Sequence, residues 1–292
     1  MRLAEQIVGL RPVRESCWPA FRFLPGPREK PAGLRPAARP TPGLIDRARA
    51  RIRAGQTSCI ALVEEALGAI AARNGELNAF VEVLEAGALA EAAARDAEVT
   101  HGHLRGPLHG IPLSVKDVIH VAGVPTRAGS EAYWQVPGRD ASAVTRLREA
   151  GAVIIGKTTT HEFALGLTTP QSRNPHDPAR VPGGSSGGSA IAVATGMGLG
   201  SIGTDTRASI RIPAALSGVV GFKATFGKVP ADGLVQLSWT LDHVGPIAST
   251  VADAALLLDV LEGISFSRTV GAEPSSLRVG VPPDGCSGAD PE

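Results

Sequence analysis

Short, continuously apolar segments alternate with amphipathic helical segments along this chain of 292 residues, and this alternation restricts its fold more than any other feature. Ile111–Val115 and Ala152–Ile155 are typical of short strands that are buried on both faces. Before the second of them, residues 140–150 carry apolar side chains at helical spacing and stop at Gly151. Helices that alternate with buried strands predict an α/β domain, in which a largely buried β-sheet lies between helices.

The remaining elements of the domain are predicted from periodicity and capping residues. Further helices are expected over residues 58–72, 86–98 and 186–196, and further strands over residues 218–222 and 277–281. Thr250 and Asp253 have the spacing of a capping box, so another helix is expected to begin there and to end before Gly263.

Residues 1–42 differ from the rest of the chain. They contain eight prolines, show no helical or strand periodicity, and belong to a head, residues 1–53, with 12 Lys or Arg against 4 Asp or Glu. A basic, proline-rich head also fits a transit peptide or an anion-binding tail, but prolines disrupt the amphipathic helix of a transit peptide. We therefore expect residues 1–42 to form a disordered leader and residues 43–292 to form the folded domain.

Composition excludes several classes of protein. The chain is 43% hydrophobic and 20% charged, and its longest apolar stretch is interrupted by Gly196, Gly198 and Gly200, so no membrane span is expected. A net charge of +1 gives no reason to expect direct contact with nucleic acid. The three cysteines are far apart and lack C-x-x-C spacing, which favours a protein of the reducing cytoplasm without disulfides or structural zinc.

Two serine-bearing segments, the first of them rich in glycine, carry the residues most suited to chemistry. Residues 183–189 and 204–211 both place serines in tight turns, where neighbouring backbone N–H groups converge as an oxyanion hole requires. Serine needs a base to become a nucleophile. Lys116 ends a buried strand, and desolvation lowers a lysine pKa enough to make the amine such a base.

Other interpretations of the same residues remain open at this point. A loop rich in glycine and serine ahead of a helix also cradles phosphate, although the chain has no G-x-x-x-x-G-K-[ST] motif. Close packing alone also selects glycine. The seven histidines show no H-x-x-x-H pairing, so no metal site is expected.

Five segments, in order, resemble the amidase signature family. They are Leu108–Asp117 (LHGIPLSVKD), Gly183–Ala190 (GGSSGGSA), Gly203–Asp205 (GTD), Ser209–Ala215 (SIRIPAA) and Leu241–Pro246 (LDHVGP). The resemblance extends over about residues 43–283 and implies the fold of that family, with a mixed β-sheet, and the hydrolysis of a carboxamide through a serine acyl-enzyme. It implies no metal and no organic cofactor.

The resemblance also implies a role for each matching residue. Ser209 corresponds to the nucleophile, Ser185 to a bridging serine that follows a cis peptide bond, and Lys116 to the general base. Backbone donors of the oxyanion hole correspond to Thr206, Arg207, Ala208 and Ser209 itself. The residues that hold the serine loops correspond to Ser186, Asp205 and Arg211. The expected partner is a small amide substrate, and a homodimer is left open.

The chain departs from the family pattern in two ways. Arg207 and Ala208 stand where the family usually has two glycines, and a side chain is costly there if the backbone needs a positive φ. The family also continues past residues 277–281, so we expect a fold that is incomplete at its C-terminal end. These departures leave a catalytically impaired amidase fragment as one alternative to an amidase. The family resemblance leaves a second alternative, the glutaminase subunit of a tRNA-dependent amidotransferase, although such subunits tend to have Gln in place of Ile212.

Overall fold

The computed structural model describes residues 42–265, 267 and 270. Its helices are α1 (Leu44–Arg53), α2 (Cys59–Leu77), α3 (Glu85–Thr100), α4 (Ser142–Glu149), α5 (Gly187–Ala194), α6 (Arg211–Leu216) and α7 (Val251–Glu262). Its strands are β1 (Phe80–Val83), β2 (Pro112–Lys116), β3 (Val153–Thr158), β4 (Gly200–Asp205), β5 (Val220–Gly221) and β6 (His243–Ala248). A short 3-10 helix covers Glu162–Ala164.

The six strands form one mixed sheet in the order β1-β3-β2-β4-β6-β5. The central strand β2 pairs parallel with β3 on one side and with β4 on the other. The outer pairs, β1 with β3, β4 with β6 and β6 with β5, are antiparallel. Every residue of β2, β3 and β4 is buried, and α5 packs on β2, β3, β4 and β6. The expected α/β fold with a mixed, largely buried sheet is confirmed.

The predicted elements within the described residues are present, with shifted ends. The helices expected over 58–72, 86–98, 140–150 and 186–196 correspond to α2, α3, α4 and α5, and the strands expected over 111–115, 152–155 and 218–222 correspond to β2, β3 and β5. The strand expected over 277–281 and nearly all of the leader, residues 1–42, lie outside the described residues. Among the helices that are described, none combines the length and the apolar character that crossing a bilayer needs.

The capping box does more than the sequence indicates. Thr250 Oγ1 accepts a hydrogen bond from the N–H of Asp253 at 3.1 Å, and α7 ends at Gly263 with a φ of 79°. The carboxylate of Asp253 then accepts the N–H groups of Leu44 and Ile45, both at 2.9 Å, and so caps α1 as well. One buried carboxylate thus joins the first and the last of the described helices.

Candidate active site

Lys116, the last residue of β2, lies fully buried at the carboxyl end of the central strands. Its Nζ donates hydrogen bonds to Ser185 Oγ at 2.7 Å and to Thr204 Oγ1 at 2.8 Å. Burial lowers the pKa of Lys116 from 10.5 to about 7, although the carboxylates of Asp242 and Asp205 favour the charged form. Near neutral pH a large share of this lysine is therefore an uncharged amine.

Ser185 precedes α5 and is also fully buried. The peptide bond between Gly184 and Ser185 is cis. The carbonyl of Ser185 accepts hydrogen bonds from the N–H of His161 at 3.2 Å and from the hydroxyl of Thr169 at 3.4 Å. These contacts fix the backbone on which the hydroxyl meets Lys116.

Ser209 lies in the turn between β4 and α6 and is 3% exposed. Its carbonyl accepts the N–H of Ser186 at 3.1 Å, and the hydroxyl of Ser186 donates to the carbonyl of Thr204 at 3.2 Å. The segments 183–189 and 204–211 are thus joined through Ser186. Within the described part of the chain, the Ser209 hydroxyl has no hydrogen-bond partner.

Asp205 and Arg211 hold the turn that carries Ser209. The fully buried carboxylate of Asp205 receives two hydrogen bonds of 3.0 Å from the Arg211 guanidinium and further ones from the N–H groups of Ala208 at 2.7 Å and Ile210 at 3.2 Å. Burial opposes ionisation of Asp205, but these hydrogen bonds outweigh it and lower its pKa. Asp205 is therefore an ionised anchor that fixes both ends of the turn.

The three residues before Ser209 have different surroundings. Thr206 donates from Oγ1 to Asp242 Oδ1 at 2.5 Å, whereas the side chain of Arg207 is exposed. Ala208 has a φ of +94° and gives its N–H to Asp205. Of the three, Ala208 thus has its N–H engaged by Asp205 and its backbone in the region that favours glycine.

Several residues of the site receive no role from the sequence. Thr204 is a second acceptor for Lys116, Asp242 orients Thr206, and His161 and Thr169 hold the carbonyl of Ser185. Thr204 and Asp242 fall inside segments that carry the family resemblance, so their position in those motifs is an available signal. His161 and Thr169 lie outside these segments, and only the fold brings them to the site.

The arrangement is suited to proton transfer. An uncharged amine has two N–H groups and one lone pair, so Lys116 can donate to Thr204 while it accepts a proton from Ser185. Among the described residues, no group of three or more His, Cys, Asp or Glu side chains is placed to hold a metal ion. The site therefore consists of buried hydroxyls beside a buried lysine amine.

The chain is similar to known amidases and to an amidotransferase subunit. The chain is 46% identical over 246 residues to an amidase of Pseudomonas putida, covering 80% of this chain and 53% of that protein. It is 42% identical over 257 residues to one of the subunits of the glutamyl-tRNA(Gln) amidotransferase of Chloroflexus aurantiacus, covering 82% of this chain and 53% of that relative.

The chain is also similar to solved structures of amidases. The peptide amidase of Stenotrophomonas maltophilia is 40% identical with a TM-score of 0.72, covering 82% of this chain and 51% of that one. The chain therefore spans about half the length of these relatives. Because the sequence profile of the Amidase family matches residues 61–282, the chain belongs to the Amidase family.

Proposed function

We propose that the chain supplies the catalytic centre of an amidase, in which Ser209, Ser185 and Lys116 hydrolyse the C–N bond of a small carboxamide. The contact of 2.7 Å between Lys116 Nζ and Ser185 Oγ carries the proposal, because it joins a fully buried lysine with a pKa of about 7 to a buried serine. Membership of the Amidase family supports it independently.

The proposed reaction begins when Ser209 Oγ attacks the carbonyl carbon of the amide. The proton of Ser209 passes to Ser185 Oγ as the proton of Ser185 passes to the uncharged Nζ of Lys116. The tetrahedral intermediate then expels the amine, which takes its proton back along the same path, and an acyl ester on Ser209 remains. Water attacks that ester with the same proton relay and releases the carboxylic acid.

The turn before Ser209 supplies the proposed oxyanion hole. We assign the donor role to the backbone N–H groups of Thr206, Arg207 and Ser209, which have no hydrogen-bond acceptor within the described residues. Ala208 instead shapes the turn, because its N–H is given to Asp205. The proposed enzyme acts in the cytoplasm on a free small molecule, without cofactor or direct contact with nucleic acid, and a homodimer remains compatible with it.

A second candidate function is that of the glutaminase subunit of a tRNA-dependent amidotransferase, because a relative named as an amidotransferase component is 42% identical to the chain. Ile212, one turn after Ser209, favours the amidase, since such subunits tend to have glutamine at this position. Ammonia release from free glutamine, compared with release from small aliphatic carboxamides, separates the two. Glutamine as the preferred substrate supports the glutaminase.

A catalytically impaired amidase fragment is the third candidate, favoured by the φ of +94° at Ala208. Labelling of Ser209 with a fluorophosphonate, mapped by peptide mass spectrometry, tests it against the amidase. We expect labelling in the unchanged chain and in Ser114→Ala, a buried serine of the same strand as Lys116. We expect no labelling in Lys116→Ala or Ser185→Ala. An unlabelled Ser209 in the unchanged, folded chain would contradict the amidase proposal and support the fragment.

A further inference from the structure

The contact between Lys116 and Ser185 joins two separate elements, because Lys116 ends β2 and Ser185 precedes α5. The length of this contact therefore depends on where α5 lies on the sheet. Apart from Ser189, α5 (GGSAIAVA) consists of Gly, Ala, Ile and Val. Apolar contacts have no preferred direction, so they define the position of such a helix only weakly.

Ser189 gives α5 a directional contact with the sheet. Its hydroxyl lies 2.6 Å from that of Thr158, the last residue of β3, and both residues are fully buried. Buried polar groups that satisfy each other rigidify a core and specify a single arrangement of it. The pair of Thr158 and Ser189 is therefore suited to fix α5 on β3.

Both members of this pair adjoin the residues of the catalytic contact. Thr158 is the partner of Lys116 in the parallel pairing of β3 with β2. Ser189 follows Ser185 by four residues and lies in the first turn of α5. Two adjacent side-chain contacts thus connect the strand ends with the start of this helix, one made by Lys116 and one by Thr158.

The backbone supplies one further attachment of α5 to the end of β3. The N–H of Gly188 donates to the carbonyl of Thr159, the residue after β3, at 3.1 Å. A Cβ at Gly188 would lie 2.6 Å from the nitrogen of Thr159, so the helix approaches the chain very closely here. A helix attached at a single point can still rotate about it, and the hydroxyl pair adds a second point.

We propose that Thr158 and Ser189 are positioning residues, whose hydrogen bond holds Ser185 against Lys116. This inference rests on the proposed function, in which a proton passes from Ser185 to Lys116. A displacement of about 1 Å at a reacting group lowers a rate by as much as about a hundredfold. Loss of the pair therefore slows the proton relay, while Lys116 stays buried.

The test is the pH dependence of the rate at which a fluorophosphonate labels Ser209 in Ser189→Ala and in Thr158→Val. Each variant removes one hydroxyl of the pair, and we expect the plateau rate to fall at least about tenfold in both. The half-point of the profile is expected to stay near pH 7, because burial sets the pKa of Lys116. Thr158→Ser keeps the hydroxyl, so its plateau rate is expected to stay within about threefold of that of the unchanged chain.

Ser114→Ala is the matched control. The Ser114 hydroxyl donates to that of Ser201 at 2.9 Å, both residues are fully buried, and this pair joins β2 to β4 rather than to α5. Ser114→Ala therefore removes the same atom as Ser189→Ala from a comparable pair, and we expect its plateau rate to equal that of the unchanged chain. Thermal unfolding shows that each variant is folded at the temperature of the assay.

Crystal structures of the variants measure the displacement without reference to activity. We expect the distance between Lys116 Nζ and Ser185 Oγ to lengthen from 2.7 Å to beyond about 3.5 Å in Ser189→Ala and Thr158→Val. A hydrogen bond retained in both variants, plateau rates equal to that of the unchanged chain, or an equal fall in Ser114→Ala would each overturn the proposal. An unlabelled Ser209 in the unchanged chain would contradict the amidase itself, and the distance between Nζ and Oγ would then decide the positioning role alone.

Discussion

Replacement of Ala208 by glycine is expected to stabilise the protein. Ala208 has a φ of +94°, and a residue with a Cβ pays about 1–2 kcal/mol in left-handed backbone conformations. Glycine removes this strain, but its greater conformational freedom in the unfolded chain lowers stability by about 0.4–1 kcal/mol. The two effects leave a net stabilisation of about 0.5–1 kcal/mol. The N–H that donates to Asp205 is unaffected, because the substitution changes only the side chain.

Urea unfolding of the unchanged chain and of Ala208→Gly measures this difference. Ala90→Gly is the control, since Ala90 is an exposed residue in the interior of α3 with ordinary helical backbone. The free energy of unfolding of Ala90→Gly is expected to be about 1 kcal/mol lower than that of the unchanged chain, which is the usual cost of glycine in a helix. The two substitutions are chemically identical, so opposite signs isolate the effect of φ. A loss in Ala208→Gly equal to that in Ala90→Gly would refute the reasoning.

Three further predictions concern the anchors of the site and of the fold. Arg211→Met leaves the buried Asp205 carboxylate without its cation and is expected to cost about 2 kcal/mol in urea unfolding at neutral pH. This cost should shrink as pH falls through the lowered pKa of Asp205, because the protonated acid needs no cation. Arg207→Gly is expected to leave the ratio of rates on anionic and neutral amides unchanged, since the side chain is exposed; a fall on anionic amides alone would assign it to specificity. Gly43→Ala places a Cβ against Asp253 Oδ1 and is expected to lower the free energy of unfolding by roughly 2 kcal/mol; an unchanged value would contradict this and show that the cap shifts to make room.

Of the described strands, the sequence predicts β2, β3 and β5 but not β1, β4 and β6. β2 and β3 are predictable because their apolar runs are long enough to be recognised as buried strands. β4, with the sequence GSIGTD, has no such run, and β6 contains both glycine and proline. Close packing explains the composition of β4, since a Cβ at Gly203 would lie 2.9 Å from Ser186 Oγ. Such strands are specified by their neighbours rather than by their own side chains.

The site is predictable where a motif encodes it locally. The place of Lys116 at a buried strand end makes it a candidate base, and the structure supplies the complete burial that lowers its pKa. The contacts of Thr204 and Asp242 depend on strands β4 and β6, neither of which is predicted from the sequence. The direction of the Ala208 N–H, toward Asp205, depends on the conformation of the turn. Neither a motif nor periodicity carries that information.

The central claim is that a buried lysine with a pKa of about 7 activates Ser209 through Ser185. The pH dependence of the rate at which a fluorophosphonate labels Ser209, from about pH 5 to about pH 9, tests it most directly. Because the uncharged amine is the base, the rate is expected to rise with pH and to reach half of its plateau near pH 7. A rate that is independent of pH over this range, or that keeps rising toward the ordinary lysine pKa of 10.5, would contradict the account.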